Sequence, residues 1–390
     1  MLRISSDHNT SAVAMVETVL NQAVLHNASD IHFEPSMAGL LIRVRVDGLL
    51  YDAALLDTAR TPPVLARLKV LANINVAEKR IPQDGKFGFT YKARAVDVRV
   101  STFPSCHGEK IVLRLLDQER LRISLQELGF VDDMLTACRS LLSLPHGFFL
   151  VAGPTGSGKT TTLYAALSAL NERSRHIITL EDPVEYHIAG ITQAQIHPEA
   201  GFTFEKGIRA LLRQDPDIVM VGEMRDKQTA HIAIEAALTG HLVLSTIHAG
   251  DAPSVVMRLL DMGIEPFLIN AAVSGVLAQR LARRLCDACK VARPLTSQEA
   301  DYIKNITIPV DQVYEAAGCS HCHGLGYKGR VGIFQLLTMS DALRALIVHN
   351  PGIDMIRTQA QKDGMANLIT DAVYKLKAGV ISFAEMLKVA

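Results

Sequence analysis

Two hydrophobic rhythms divide the chain. In "LLIRVRVDGLL" the apolar and polar positions alternate, with Ile42, Val44 and Val46 on one side and Arg43, Arg45 and Asp47 on the other. A period of two is the signature of a strand with one face buried, and "VDG" signals the hairpin that returns it. "IPQDGKFGFTY", "RAVDVRVSTFP" and "EKIVLRLLD" predict three more strands with turn residues between them. Residues 11–27 carry helical spacing, ending near "HNASD", and "TPPVLARLKVLANI" starts a second helix behind its prolines. Residues 1–117 therefore predict a small α+β domain on an antiparallel sheet. "QERLRISLQELG", residues 118–129, is charged, lacks alternation and reads as a linker.

From residue 130 the rhythm changes. "FFLVAG", "HIITLED", "DIVMVGE" and "HLVLSTIHA" are short continuous apolar runs separated by helical stretches. Strands that are apolar on both faces belong to a parallel sheet covered on both sides. This predicts an α/β core over residues 130–282. Residues 283–334 hold four cysteines followed by "GLGYKGRVGIF", and residues 335–390 read as helical, with apolar spacing in "DALRALIV", "ANLITDAVYKL" and "FAEMLKV". No internal repeat or low-complexity tract interrupts the pattern.

Composition narrows the function classes. The length of 390 residues suits two or three domains, and 48% hydrophobic with 21% charged residues suits ordinary cores. Forty basic residues balance forty acidic ones, which disfavours a partner recruited by bulk charge, such as nucleic acid or anionic lipid. The N-terminus is too polar for a signal peptide, and no run of about 18 apolar residues is present to span a bilayer. These features lead to the expectation of a cytoplasmic protein with reduced thiols.

The densest chemistry lies in "GPTGSGKT", which fits G-x-x-x-x-G-K-[ST] between an apolar run and a helical stretch. Glycines let backbone N–H groups close around a phosphate, and the helix N-terminus adds positive potential. Gly153, Pro154, Thr155, Gly156, Ser157, Gly158, Lys159, Thr160 and Thr161 are thus expected to bind ATP. Lys159 would reach the β- and γ-phosphates, and Thr160 would ligate Mg²⁺. Such a loop needs an acid to direct the attacking water. Glu223, at the carboxyl end of "IVMV", is the candidate, with Glu181 and Asp182 as a second acidic pair at another strand end. Asp182 reads alternatively as a helix cap. His241 precedes a strand and His248 follows it, about 20 Å apart in extended chain, so both cannot touch one γ-phosphate. His248 is at the carboxyl end and is the better sensor.

Five arginines are candidate phosphate ligands. Arg209 and Arg213 lie four apart in "FEKGIRALLRQDPD", where a solvated helix face is the plain alternative. Arg225 closely follows Glu223. Arg99 points to the polar side of its strand. Arg114 sits in the more apolar "IVLRLL", where burying it would demand an anionic partner.

Cys286-x₂-Cys289 in "LCDACK" and Cys319-x₂-Cys322 in "GCSHCHGLGYKGRVG" form two knuckles with 29 residues between them. In a reduced chain this pattern predicts a closed Cys₄ zinc site, with His321 and His323 outside it unless one replaces a cysteine. A redox pair is the alternative, although such pairs usually open a helix. Cys106 and Cys138 are isolated and expected in the core.

Taken with "ASDIHFEP", "RVRVDG", "RIPQDGK", "DVRVSTFPS", "TLEDPVEY", "RALLRQDPDIVMVGEMRD" and "TGHLVLSTIHAGDA", the chain resembles the ATPases of type II secretion and type IV pilus assembly, the GspE/PilB family. The last three stretches resemble its Asp box, Walker B and His box, and the likeness spans nearly the whole length. It implies a PAS-like N-terminal domain joined by a flexible linker to a RecA-like motor, with nucleotide between the domains. It also implies a homo-hexamer that drives pilus or pseudopilus subunits through an inner-membrane platform protein and a membrane-bound docking protein. Arg99 and Arg114 match the family's N-terminal arginines that close onto phosphate, and Arg209, Arg213 and Arg225 match motor-domain arginines. Secretion-type members usually carry a further N-terminal docking domain, whereas this sequence begins at the PAS-like domain. Gln335 stands where the family more often shows Glu. The competing functions are a nucleic-acid translocase on the same core, a pilus retraction motor, which by the family pattern lacks the cysteine insertion, and a non-hydrolysing scaffold. The intact Lys159, Thr160, Glu181 and Glu223 speak against the scaffold.

Overall fold

The computed structural model describes residues 10–92, 94–117, 123–306 and 308–389. The chain forms two compact units, residues 1–121 with 317–329 and residues 122–316 with 330–390. Of the expected linker, residues 118–122 lie outside the described residues. Its remainder is a short 3₁₀ turn, Leu125–Leu128, started by a Ser124–Glu127 capping box.

The first unit is a six-stranded antiparallel sheet. Its strands are β1 (Ala28–Ser36), β2 (Gly39–Val46), β3 (Leu49–Leu56), β4 (Gln83–Tyr91), β5 (Arg94–Ser105) and β6 (Gly108–Asp117), in the order β3-β2-β1-β6-β5-β4. The predicted alternation holds, since Ile42, Val44 and Val46 are buried and Arg43 and Arg45 are partly exposed. The β2–β3 hairpin turns on Asp47 and Gly48, whose φ values of 47° and 87° are the positive pair a tight hairpin requires. Helices α1 (Ala12–Leu25) and α2 (Thr61–Leu71) close the apolar face, placing Met15, Val19, Val64 and Leu68 in one cluster with Ile31, Phe33, Val98 and Leu113.

The sequence pattern missed β1, which pairs with both β2 and β6 at the centre of the sheet. Its Asp30, His32 and Glu34 and its Pro35 are poor strand formers, and Ala28, Ile31 and Phe33 anchor it in the core. Pattern reading also gave no sign that Lys69 is buried, where its Nζ meets both Glu109 carboxylate oxygens at 2.9 and 2.8 Å. Cys106, expected in the core, is exposed at the β5–β6 hairpin turn, because Ser105 and Gly108 close the hairpin around it. Cys138 is buried as expected, and burial pushes its thiol up to about 12.

The second unit holds a seven-stranded sheet in the order β15-β12-β7-β11-β10-β8-β9. The strands are β7 (Gly147–Ala152), β8 (Ile177–Glu181), β9 (Thr192–Gln195), β10 (Ile218–Val221), β11 (Leu242–Ile247), β12 (Val273–Leu285) and β15 (Tyr327–Thr338). The pairings among β12, β7, β11, β10, β8 and β9 are all parallel. Every residue of β7, β8, β10 and β11 is buried, as their unbroken apolar runs predict. β12 runs through the division drawn at 282 and 283, and β15 through that at 334 and 335. β13 (Lys290–Pro294) and β14 (Gln312–Ala316) form a separate antiparallel pair.

Helices flank the sheet: α3 (Asp132–Leu142), α4 (Lys159–Leu170), α5 (Phe204–Leu211), α6 (Lys227–Leu238), α7 (Ala252–Asp261) and α8 (Pro266–Ala272). A further helix, α9 (Ser297–Ile303), follows β13. The expected helical C-terminus is α10 (Asp341–Ile347), α11 (Ile353–Lys362), α12 (Leu368–Lys377) and α13 (Phe383–Val389). On α12, buried Asp371 pairs with Lys375 and accepts from the Phe334 N–H at 2.7 Å, tying this helix to β15.

Candidate functional site

The parallel register puts the predicted chemistry on one sheet edge. Ile247 of β11 lies beside Ala152 of β7, and Val221 of β10 lies beside both Ser245 of β11 and Leu180 of β8. The loop 153–158, the Glu181–Asp182 corner, Glu223 and His248 all follow these strand ends, where open α/β sheets bind ligands. His241 is at the opposite end of β11, and its Nδ1 lies 2.9 Å from the Ala236 carbonyl.

The loop after β7 turns through three glycines of positive φ, Gly153 at 154°, Gly156 at 79° and Gly158 at 90°. Space is as restrictive as φ at Gly153, where an added Cβ would lie 2.4 Å from Ser157 Oγ and 2.6 Å from the Gln279 carbonyl oxygen. Lys159 opens α4 and donates to the Gly153 and Pro154 carbonyls at 3.0 and 3.1 Å. Burial pushes its ammonium below the ordinary lysine range, with Glu223 opposing and Arg280 reinforcing the shift. A half-buried ammonium at a helix N-terminus favours an anion as its partner. Thr160 and Pro154–Gly156 are exposed and accessible to a ligand, while Ser157 is buried and Thr161 half-buried.

Glu223 gathers the other candidates. Arg225 Nη2 is ion-paired with Glu223 Oε1, and Arg225 Nη1 lies 3.9 Å from Asp182 Oδ2. His248 Nε2 is 3.9 Å from Glu223 Oε2. The Glu223 hydrogen bond raises the Arg225 pKa against a smaller effect of burial. One cationic, one imidazole and two carboxylate groups therefore gather around Glu223, whose charge also acts on Lys159.

Glu181 is placed differently from its neighbours. It is buried, and its carboxylate accepts from the Tyr164 hydroxyl, from Thr179 Oγ1 at 2.5 Å and from Gln193 Nε2 at 3.2 Å. Burial raises its pKa despite these donors. Tyr164 also accepts from the Glu185 N–H at 3.2 Å, so a residue of α4 holds the chain on either side of Asp182.

The arginines separate into local groups. Arg209 Nε lies 3.6 Å from Glu205, and Arg213 Nη1 donates to the Arg209 carbonyl at 2.7 Å. The helix ends at Leu211, so Arg213 lies beyond it instead of sharing a helical face with Arg209. In the first unit, Arg99 and Arg114 are cross-strand partners on β5 and β6. Arg114 is not buried as its apolar neighbours suggested. Its side chain is 65% exposed and pairs with Asp30 at 3.2 Å, because strand alternation turns it to the open face between buried Leu113 and Leu115.

Sequence reasoning missed Gln279 and Arg280 on β12. Gln279 is buried against the phosphate loop, and Arg280 donates to the Gly250 carbonyl at 2.5 Å. The one available signal was a glutamine inside an apolar run, since a buried amide needs partners. Gln335 is buried and accepts from the Ala252 N–H at 2.9 Å, capping the start of α7. A neutral amide oxygen performs that task without a buried charge.

The four cysteine sulfurs lie within 4.8 Å of one another. Tetrahedral zinc with Zn–S near 2.3 Å places its sulfurs about 3.8 Å apart, and Cys319 Sγ and Cys322 Sγ are 3.8 Å apart. The Cys319 and Gly326 N–H groups donate to Cys322 Sγ at 3.2 and 3.1 Å, a setting that suits a thiolate. The donor set and spacing fit a structural zinc with no open coordination position. His321 is engaged by Lys328 at 2.9 Å, and His323 packs edge-on against His26.

Known proteins carry the same organisation. The profile of the family described as type II/IV secretion system protein matches residues 5–388. Type II secretion system protein E of Pseudomonas aeruginosa is 45% identical over 388 residues, covering 99% of this chain and 77% of that protein. Type II secretion system ATPase E of Vibrio cholerae is 44% identical over 386 residues, with 99% and 76% covered. Among solved structures, the pilus retraction motor PilT with bound ADP superposes with a TM-score of 0.64 at 25% identity, covering 96% of each chain. The ATPase DotB of Legionella pneumophila gives a TM-score of 0.72 at 20% identity, covering 99% of this chain and 97% of that one, a likeness of fold. With the phosphate loop, the acidic strand ends and a full-length match in agreement, the chain belongs to the type II/IV secretion system protein family and is one of its ATPases.

Proposed function

We propose that this chain is the motor of a type II secretion system, hydrolysing ATP at the Lys159–Glu223 site to drive pseudopilus assembly. The observation that carries this reading is the convergence of Lys159, Glu223, Arg225, Asp182 and His248 on the carboxyl edge of the parallel sheet. The loop 153–158 and Lys159 bind the β- and γ-phosphates. Thr160 would hold Mg²⁺, which when bound would supply neutralisation of phosphate charge. Glu223 orients a water for attack on the γ-phosphorus and takes its proton as the bond to ADP breaks. Arg225 holds Glu223 in place, and His248 senses the γ-phosphate. Buried Glu181 positions the Asp182 corner from behind. Arg99 and Arg114, with Arg209 and Arg213, complete the phosphate contacts in the assembled motor.

The assembled state in this reading is a homo-hexamer acting in the cytoplasm. It reaches the inner membrane through the platform protein and a membrane-bound docking protein. Among the described residues no helix is long and apolar enough to cross a membrane. The cysteine cluster supports assembly over retraction and holds one zinc. The balanced charge gives no support to a nucleic-acid partner.

The test is Glu223→Gln. Turnover is expected to fall by about 10²–10⁴-fold with nucleotide affinity retained, and wild-type turnover in this variant would sink the assignment. Metal analysis of protein purified without chelators should give one zinc per chain, and a value far below one would contradict the cysteine reading.

A further inference from the structure

A phosphate loop with three positive-φ glycines has little conformational preference of its own. Something outside the loop must select the shape in which its N–H groups converge. The structure offers one buried side chain at that position. Gln279, on β12, is 1% exposed, and its Nε2 donates to the Ser157 carbonyl at 2.7 Å. Its Oε1 accepts from Thr162 Oγ1 at 2.8 Å, in the first turn of α4. The two bonds fix the amide orientation, because only the nitrogen end can donate to a carbonyl.

The consequence follows from peptide geometry. In a trans peptide the Ser157 C=O and the Gly158 N–H point in opposite directions. Holding the carbonyl against Gln279 therefore aims the Gly158 N–H away from β12. The fit is close on both sides of the loop. A Cβ on Gly153 would lie 2.6 Å from the Gln279 backbone oxygen, and one on Gly158 would lie 3.2 Å from Gln279 Nε2. The next residue extends the tie, since Arg280 donates from Nη1 to the Gln279 carbonyl at 3.1 Å and from Nη2 to Gly250, two residues past His248.

We propose that Gln279 is a positioning residue for nucleotide binding, which sets the phosphate loop in its receiving shape through the Ser157 carbonyl and the first turn of α4. The proposal rests on the reading of loop 153–158 as the phosphate site, and it concerns a residue that need not touch nucleotide. The step it affects is binding more than bond breaking, so KM should move and kcat much less.

The experiment measures ADP affinity by calorimetry and steady-state ATP turnover for the full chain and three variants. Gln279→Leu keeps the bulk and removes both bonds. Gln279→Glu keeps an acceptor for Thr162 but cannot donate to Ser157. Thr162→Val leaves the Ser157 bond in place. The Leu and Glu variants should each weaken ADP binding and raise KM about tenfold with kcat within about threefold, and Thr162→Val should lose about threefold or less. Leu and Glu variants that bind ADP within twofold of wild type, or that lose kcat with KM unchanged, overturn the proposal. If the Leu variant fails to fold, the contrast of Glu with Val still decides it. Wild-type protein that bound no ADP would overturn the phosphate-site reading itself, whereas normal wild-type binding with unaffected variants overturns this inference alone.

Discussion

The two sheets solve burial differently, and the difference decides where each carries its functional groups. The six-stranded antiparallel sheet has one closed face and one open face. Its strands expose Arg43, Arg45, Arg99 and Arg114 along their length. The parallel strands β7, β8, β10 and β11 are buried on both faces, so chemistry is confined to their ends. In the first unit a ligand-binding residue can sit mid-strand. In the second, a mid-strand polar group such as Ser245 is consumed by the interior, where its hydroxyl donates to the Val221 carbonyl at 2.6 Å.

Adjacent truncations give the largest expected break in this comparison. On β11, Val243 and Leu244 are both 0% exposed although they face opposite sides. Each change to Ala should cost about 2–4 kcal/mol in denaturant unfolding. On β6 only one of two neighbours should behave that way. Leu113→Ala should cost a similar amount, and Arg114→Ala should stay within about 0.5 kcal/mol. Equal losses at 113 and 114 would show that the sheet has no open face in solution.

A smaller effect separates stability from function on that face. Arg99→Ala and Arg114→Ala should lower ATP turnover about tenfold, equivalent to about 1.4 kcal/mol, with unfolding midpoints unchanged. Turnover at the wild-type level in both would remove these arginines from the phosphate site.

The smallest effect concerns two carboxylates of opposite sign. Burial alone would raise Glu34, on the open face, but hydrogen bonds from Lys110 and Arg43 outweigh it and hold the pKa below the ordinary 4.5. Its contribution is therefore present above pH 4.5 and lost as pH falls through the lowered value. Glu181 is raised by burial, so its contribution is present below pH 4.5 and lost as pH rises through the raised value. The stability of wild type minus Glu34→Gln should shrink on acidification, and that of wild type minus Glu181→Gln should shrink on alkalinisation. Thermal midpoints taken from pH 3 to pH 8 would expose slopes of the same sign, which would contradict the assignment of their environments.

Much of this was legible in the chain because it is local. The loop 153–158 is contiguous, and its glycines with Lys159 and Thr160 fit the phosphate-loop pattern within eight residues. Alternation identified β2, β5 and β6, and unbroken apolar runs identified β7, β8, β10 and β11. The cysteine knuckles gave their pairing by spacing alone, and their sulfurs do converge. β1 escaped because Asp30, His32 and Glu34 weaken the apolar signal that two side chains, Ile31 and Phe33, must carry.

Tertiary structure alone decided the rest, and for one physical reason. Burial and hydrogen-bond partners depend on residues far away in sequence. Two neighbouring acids, Glu181 and Asp182, look equivalent in the chain, yet Tyr164 and Gln193 enclose the first while the second faces Arg225. Arg114 lies among apolar residues in sequence but on the open face of the sheet in space. Gln279, more than a hundred residues beyond the loop it contacts, was marked in the sequence only as a polar residue in an apolar run, with no sign of its partners. The chain itself specifies which groups can do chemistry, and the sheet register and packing determine which of them are free to do it.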